Sequence, residues 1–324
     1  MDLDLAQVRA FVVTAEQRGF GRAAETLFLT QQALSKRVRR LEDTLSVRLF
    51  ARTGRAIELT PDGAALLPHA RELLRVQDEA LASVGGDDRP LRVDLVDNRL
   101  SPMFVLRSLA ERDPALRVER SGRSGLAAAL DPLVRGEIDL AFGRVHDLGV
   151  PWPEELDHRV VRLEPLLALL PPEHPLAGGS AVRVEDLRTE GLWLPSLSGP
   201  AEFTGFLRNM SASLAVPVDT GGRSYDLRHT LEQARYGVPR VTLVGADMEL
   251  PRDLNLRVLP FEPAPLFPWS VVWRRGGERA DLRRFLTLAV ATGRAEGWCA
   301  YDPARHWVPE DEGISPSAGT GTSR

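Results

Sequence analysis

The sequence predicts an α/β protein in two parts, a helical N-terminal part and a larger part in which strands and helices alternate. Amphipathic helical patterns dominate the first 84 residues, and the segment "GGDDRP" at 85–90 then interrupts them. Short β-type runs separated by helical segments fill residues 91–293. Glycine and proline clusters are typical of linkers, and strand–helix alternation is typical of mostly parallel sheets.

The composition limits the classes to which the chain can belong. A length of 324 residues suits two or three domains. The single cysteine, Cys299, excludes an intrachain disulfide and a two-cysteine metal motif. No run of about 18 apolar residues is present, and the N-terminal segment lacks the basic and apolar regions of a secretory signal. We therefore expect a cytoplasmic protein that does not enter a membrane and holds no metal or other cofactor.

Three helices and a hairpin are predicted in the first 59 residues. Apolar residues at helical spacing indicate a first helix at 5–17, and a second short helix follows a glycine turn at 21–28. Thr30 can cap a third helix, and the residues around 53–55 form a turn between two short strands. This order is that of a winged helix-turn-helix, to which we assign residues 1–59.

The third helix has an apolar face and a basic face. Its predicted buried residues follow one another at spacings of four, three and four: Leu34, Val38, Leu41 and Leu45. Residues 35–55 carry seven basic and two acidic side chains, a local charge of +5 in a chain whose net charge is −4. The residues that we expect to contact nucleic acid lie off the buried face or on the hairpin: Gln31, Gln32, Ser35, Lys36, Arg37, Arg39, Arg40, Arg52 and Arg55.

The chemistry of these side chains suits double-stranded DNA. An α-helix fits the major groove, where base edges present distinguishable donors and acceptors, and a glutamine amide can both donate and accept. Lysine and arginine neutralise phosphates and thereby position the helix. A solvated helix face is the alternative. It accounts for the basic residues alone, but not for the short preceding helix, the glycine turn and the basic hairpin together.

A long helix is predicted at 60–84, where Thr60–Pro61 supplies a start signal and an acid follows in the first turn. A seam of small and aliphatic residues at alternating spacings of three and four predicts dimerisation through this helix. A helix that packs on its own domain would show the same seam, so both alternatives stay open. The seam residues are Leu67, Ala70, Leu74 and Leu81. Residues 85–90 form the hinge that follows.

Residues 22–74 resemble the DNA-binding domain of LysR-type transcriptional regulators. The matching positions are Ala23–Ala24, Leu27, Gln31, Ala33–Leu34–Ser35, Leu41–Glu42, Leu49–Phe50, Arg52, Leu59–Thr60 and Gly63. The sequence departs from the family pattern at Gly21, Gln32 and Ser46. Further along, "GEIDLAFG" at 136–143 resembles a strand of the family's effector domain.

The resemblance implies a second part that is similar to periplasmic binding proteins. Two α/β lobes would be joined by two crossing strands, with a small-molecule effector in the cleft between them. Lobe I would comprise 91–163 and 268–293, and lobe II 164–267. The resemblance further implies a regulator that binds a double-stranded DNA operator as a homodimer or homotetramer and alters the access of RNA polymerase.

Ligands of open α/β sheets bind beyond the carboxyl ends of the strands. Hydroxyl and guanidinium groups at those ends favour a small carboxylate as the effector. The alternatives are that Ser124 only caps a helix and that the loop arginines are only solvated. The residues that we expect to contact the effector are Asn98, Arg99, Ser101, Ser124, Arg144, Ser196, Arg223 and Tyr225.

Two other functions remain open from the sequence. The chain could be a binding-protein-like sensor or enzyme whose N-terminal domain mediates protein association, although no acid–base pair or catalytic set is evident. A nonspecific architectural DNA binder would not need about 200 residues of α/β fold. We predict a regulator and not an enzyme. Residues 302–324 are polar and rich in proline, glycine and serine, which predicts a disordered tail.

Overall fold

A computed structural model describes residues 3–17, 19–27, 29–53, 56–85, 89–195, 199–222, 226–276 and 279–316. Contacts within the chain divide it into two compact units, Met1–Asp88 and Arg89–Arg324. Within the described residues, no helix combines the length and the apolar character needed to cross a membrane.

The first unit contains the three predicted helices, the predicted hairpin and the long helix. Its elements are α1 Leu5–Gln17, α2 Phe20–Thr26, α3 Gln31–Leu45, β1 Phe50–Thr53, β2 Ala56–Leu59 and α4 Pro61–Gly85. The Thr30 side chain accepts a hydrogen bond from the Ala33 N–H at 3.2 Å, so Thr30 caps α3 as predicted. Strands β1 and β2 pair antiparallel and form the hairpin.

The core of the first unit forms where α1, α3 and α4 meet. Leu34 and Leu41 of α3 are fully buried and Val38 is nearly so, whereas Leu45 is only partly buried. The predicted buried face of α3 is therefore confirmed. It leaves the opposite face of the helix in solvent.

The predicted dimerisation seam of α4 lies in this same core. Ala70 is 1% exposed and Leu74 is 8% exposed, and both belong to the apolar cluster that contains Phe11 of α1. Leu67 is partly buried against that cluster, and the side chain of Leu81 lies outside the described residues. The assignment of Ala70 and Leu74 to a dimer contact is therefore wrong, because these side chains pack on their own α1. The spacing of three and four residues along α4 therefore reflects packing of this helix on its own domain.

The second unit alternates strands and helices. Its elements are β3 Leu91–Leu95, α5 Ser101–Arg112, β4 Val118–Gly122, α6 Ala127–Val134, β5 Leu140–Gly143, β6 Leu156–Leu170, β7 Val182–Arg183, α7 Leu187–Glu190, β8 Leu192–Trp193, α8 Ala201–Leu214, β9 Val218–Asp219, α9 Leu227–Tyr236, β10 Thr242–Gly245, β11 Arg257–Glu262, β12 Ala264–Arg274, α10 Ala280–Ala295 and β13 His306–Trp307. The short elements β7, α7 and β13 were not predicted.

Two long antiparallel strands, β6 and β12, join the two halves of this unit. On one side the strand order is β4-β3-β5-β12-β6, and β3 pairs in parallel with both β4 and β5. On the other side, the last residues of β6 pair with β10 and β11, and β11 continues to β7. The arrangement is the predicted two-lobed α/β fold. We call the half that contains α5 and α6 lobe I and the half that contains α8 and α9 lobe II.

The C-terminal residues fold onto the second unit. Strand β13 pairs in parallel with β12, and Val308 is buried. The prediction of a disordered tail at 302–324 is therefore wrong for 302–316, and residues 317–324 lie outside the described residues. The polar average of the segment conceals Trp307 and Val308, whose apolar surface is covered by the sheet and α8.

Candidate nucleic-acid interface and effector site

The outer face of α3 presents the polar side chains that were predicted to contact DNA. The exposed residues are Gln31, Gln32, Lys36, Arg39 and Arg40, and the partly exposed ones are Ser35 and Arg37. Five of these seven line one open depression on the surface. Arg52 lies in β1 with only its backbone described, and Arg55 falls outside the described residues.

The basic side chains of α3 have no acidic partners among the described residues. Lys36, Arg37, Arg39 and Arg40 make no ion pair and no side-chain hydrogen bond there. Many arginines of the second unit, by contrast, are bound to carboxylates; Arg92, for example, lies 3.0 Å from Asp139. Four uncompensated charges on one exposed helix face are suited to binding phosphates.

A buried carboxylate fixes α3 against the hairpin. Glu42 of α3 is 6% exposed and accepts hydrogen bonds from the N–H groups of Leu49 at 2.8 Å and Phe50 at 3.3 Å. Its other oxygen accepts from Arg48 at 2.8 Å. Glu42 thus sets the position of β1 relative to the basic face. Sequence reasoning noted this residue only as part of a family pattern.

The solvent side of α4 carries two large apolar residues. Leu73 is 40% exposed and Val76 is 48% exposed, and a spacing of three residues places them on one face of the helix. They lie away from the face that holds Ala70 and Leu74. Sequence reasoning missed them because the buried seam has the same helical spacing.

At the end of β3, the predicted effector residues are bound to other residues of the same lobe. The guanidinium of Arg99 forms two hydrogen bonds with Asp97, at 3.0 and 2.6 Å. Hydrogen bonding to Arg99 lowers the pKa of the Asp97 carboxyl below its ordinary value. Asn98 is exposed, and its side-chain oxygen accepts a hydrogen bond from Arg120 at 3.4 Å. Arg99 therefore forms a local ion pair with Asp97.

Ser101 contacts lobe II through a buried polar cluster. Its hydroxyl donates to the carboxylate of Asp247, which follows β10. Arg162 of β6 donates to both oxygens of Asp247 at 2.8 and 2.7 Å. Next to this pair, Glu164 accepts from the indole N–H of Trp269 at 2.7 Å. Burial raises the pKa of the Glu164 carboxyl to about 7.

Ser124 does not begin a helix, contrary to one sequence alternative. It is exposed, and α6 starts three residues later with the N–H of Leu126 donating to the Glu202 carboxylate at 2.7 Å. Glu202 lies in the first turn of α8, so a lobe II acid occupies the N-terminal end of a lobe I helix. Gly125 permits this approach: its φ is +104°, and a Cβ there would lie 2.6 Å from Pro200.

Arg144, directly after β5, is the largest fully buried side chain of the described residues. It is fully buried and paired with three carboxylates, one from Asp147 and two from the C-terminal segment. The remaining predicted contacts, Ser196, Arg223 and Tyr225, lie outside the described residues. Ser101 and Arg144 are thus already hydrogen-bonded to protein carboxylates. Three of these acids, Asp247, Asp311 and Glu312, are more than 140 residues from the side chains that they bind, so the local sequence did not reveal them.

Two family models match most of the chain. The model of the bacterial regulatory helix-turn-helix protein, lysR family, matches residues 5–64. The LysR substrate binding domain matches residues 91–294. Together they cover the α3–hairpin region of the first unit and nearly all of the two lobes.

Individual relatives agree with this result. The HTH-type transcriptional regulator BudR of Raoultella terrigena is 31% identical over 297 residues, which cover 88% of this chain and 100% of BudR. The uncharacterised HTH-type transcriptional regulator YnfL of Escherichia coli K12 is 32% identical over 197 residues. That match covers 59% of this chain and 65% of YnfL, just under two thirds of its length.

Solved structures share the fold. A variant of full-length OxyR from Pseudomonas aeruginosa superposes with a TM-score of 0.64 at 24% identity, covering 90% of this chain and 97% of OxyR. The family matches confirm the predicted class, a transcriptional regulator with an effector-binding domain and not an enzyme. Proteins of this class bind DNA and small-molecule effectors and form oligomers. The chain belongs to the LysR family of bacterial regulatory helix-turn-helix proteins.

Proposed function

We propose that this chain regulates transcription by inserting α3 into the major groove of an operator. The observation that carries the proposal is the outer α3 face, where four basic side chains lie beside Gln31, Gln32 and Ser35 and have no acidic partner in the part of the chain that the structure describes. The four basic side chains supply affinity for phosphates, whereas the glutamines and the serine contact the edges of the nucleobases. Arg52 and Arg55 of the hairpin are proposed to contact the neighbouring backbone or minor groove.

This division of roles can be tested by measuring DNA binding at several salt concentrations. The full chain is titrated onto the DNA upstream of its own gene and onto an unrelated duplex. Arg39→Ala should weaken binding to both duplexes and reduce the slope of log K against log salt by about one. Gln31→Ala should weaken only binding to the upstream DNA, by roughly tenfold, because one base contact contributes about 1–3 kcal/mol of discrimination.

An exposed arginine of the second unit supplies the control. Arg107→Ala removes the same charge from a side chain that is 62% exposed and lies in α5. Its salt slope should equal that of the wild type. If Arg107→Ala and Arg39→Ala change the slope equally, α3 has no special role in phosphate contact.

We propose that the two lobes bind a small carboxylate effector and that its binding alters the access of RNA polymerase to the promoter. Arg144 supports this proposal because a guanidinium at the carboxyl end of a strand is suited to pairing with a carboxylate. Arg99 supports it less, because its side chain is 50% exposed and its Nε and Nη2 donate to the adjacent Asp97. A cytoplasmic location follows from the proposed action on DNA.

The proposed oligomer forms through the outer face of α4, where a second copy covers Leu73 and Val76. Both side chains are large, apolar and exposed on the same face, and burying them against a second copy removes that surface from water. Leu73→Glu/Val76→Glu should shift sedimentation to the monomer mass. Val150→Glu is the control, because Val150 has the same 48% exposure as Val76 but lies in the second unit. An unchanged mass for the double variant would contradict the assignment.

A further inference from the structure

Arg144 holds a buried positive charge that is matched by acids from two parts of the chain. Its Nη1 donates to Asp147 at 2.6 Å, which is a local contact. Its Nε donates to Glu312 at 2.5 Å, and its Nη2 donates to both oxygens of Asp311 at 3.0 and 3.2 Å. The guanidinium thus presents two of its edges to acids more than 160 residues away in sequence.

The C-terminal segment, residues 302–316, is anchored before it reaches Arg144. Strand β13 pairs with β12, and the Trp307 ring lies 5.5 Å from the Phe206 ring of α8. Val308 is buried next in sequence. These contacts carry the following acids to the site, where the Glu312 side chain is 2% exposed and that of Asp311 is 42% exposed.

Negative charge exceeds positive charge around Arg144. Asp147, Asp311 and Glu312 face one guanidinium, and the only other basic group within ion-pair distance of the segment's acids, among the described residues, is His146 at 3.7–3.8 Å. Burial raises the pKa of the Glu312 carboxyl. A free anion therefore cannot add to this site. It can only replace acids that are already there.

A second observation places Arg144 at the junction of the two lobes. The Arg144 Nη1 lies 3.4 Å from the backbone oxygen of Glu202, in the first turn of α8. The Glu202 side chain is buried, and its Oε2 has no hydrogen-bond partner among the described residues. Arg144 therefore lies where the α8 end of lobe II meets lobe I.

We propose that Asp311 and Glu312 are a tethered ligand of an anion site centred on Arg144, and that a small dicarboxylate binds there only by displacing them. The class is a dicarboxylate because Nε and Nη2 each engage a separate carboxylate. Because Asp311 and Glu312 belong to the same chain as Arg144, their effective concentration at the site is about millimolar. A free dicarboxylate therefore competes with them only at a millimolar or higher concentration. This inference rests on the proposed effector role of Arg144 and adds a competitor that belongs to the chain itself.

Thermal unfolding with added succinate tests the competition. Trp fluorescence suits the measurement, because all six tryptophans lie between residues 152 and 307 and report the second unit. At about 10 mM succinate, above the millimolar effective concentration of the tethered pair, Tm should rise clearly for Asp311→Asn/Glu312→Gln and little for the wild type. Glu310→Gln removes a neighbouring exposed acid and should behave as the wild type. Equal shifts in Tm for all three proteins would overturn the proposal. So would the absence of any shift in Tm for Asp311→Asn/Glu312→Gln with malonate, succinate or glutarate.

The conservative variant Glu312→Gln serves if the double variant does not fold. Its amide oxygen can still accept from the Arg144 Nε while the charge is lost. The succinate-induced rise in Tm should then be intermediate between those of the wild type and the double variant. A response identical to that of the wild type counts against the proposal.

Hydrogen exchange in the wild type reads displacement directly and without DNA. Succinate should accelerate exchange of the amides at 306–312, including the Glu312 N–H that donates to Pro309. A rise in Tm with unchanged exchange in this segment would mean that succinate binds elsewhere, which overturns the tethered-ligand proposal. That result would leave the proposed regulatory function intact. The regulatory function is tested separately, by the loss of operator binding in the α3 variants.

Discussion

Replacing Glu164 by glutamine should remove a large part of the pH dependence of stability in the second unit. Glu164 lies in β6, one of the two strands that join the lobes, and is 2% exposed. Its oxygens accept from Trp269 Nε1 at 2.7 Å and from the Asp247 N–H at 3.3 Å. Burial, aided by the nearby Asp247 carboxylate, raises the pKa of Glu164 from 4.5 to about 7, although Arg162 opposes the shift.

The sign follows from proton linkage. The folded state holds the Glu164 proton more tightly than the unfolded state, so the contribution of Glu164 to stability is greatest below the unfolded pKa of 4.5 and is lost as pH rises through about 7. The full shift corresponds to roughly 3 kcal/mol, of which roughly 2 kcal/mol falls between pH 5.5 and 8. Glu164→Gln resembles the protonated acid, keeps an acceptor for Trp269 and does not titrate.

Urea unfolding followed by Trp fluorescence measures the effect, since the tryptophans report only the second unit. From pH 5.5 to pH 8, the wild type should lose roughly 2 kcal/mol more stability than Glu164→Gln. Glu249→Gln, which changes an acid that is 83% exposed, should follow the wild type. Equal losses of stability for Glu164→Gln and the wild type over this range would contradict a raised pKa for Glu164.

Two further substitutions test the contacts that hold the sites in place. Glu42→Ala should destabilise the first unit by about 2–4 kcal/mol, because it leaves the buried N–H of Leu49 and the partly buried N–H of Phe50 without an acceptor. Glu42→Gln keeps an acceptor oxygen and should lower the stability by about half as much. Unfolding followed by circular dichroism measures both losses. Gly125→Ala should lower stability by about 1–3 kcal/mol through its positive φ and the clash with Pro200. Gly136→Ala has a positive φ but no atom within 4 Å, so an equal loss there would assign the effect to φ alone.

Most of the structure of the first unit could be predicted from local sequence patterns. The buried residues of α3 recur at helical spacing, and Thr30 precedes them, so both the face and the cap of the helix were predictable. The α4 seam was ambiguous for a physical reason. Ala70 and Leu74 have the same spacing whether they meet α1 or a second copy, and only the packing distinguishes these cases.

The candidate effector site depends on contacts that no local pattern encodes. The sequence offered Ser124 as a possible helix cap, but the N–H of Leu126 before α6 donates to Glu202 of the other lobe, which no nearby residue indicates. Arg144 was predicted from its position after a strand, but Glu312 was assigned to a disordered tail. A tryptophan and a valine inside that polar tail were the available signal that part of it packs against the sheet.

The lobes are held together by the protein's own charges, and this constrains the effector. Glu202 accepts from Leu126 across the lobes, and Asp247 binds Ser101 and Arg162. A ligand shifts a conformational equilibrium only through its differential affinity for the two states, so every protein contact that it displaces lowers its apparent affinity. Each charge-assisted hydrogen bond contributes about 1.5–3 kcal/mol, and an apolar molecule cannot replace one. An effector that separates these lobes must therefore carry at least two charged or strongly polar groups.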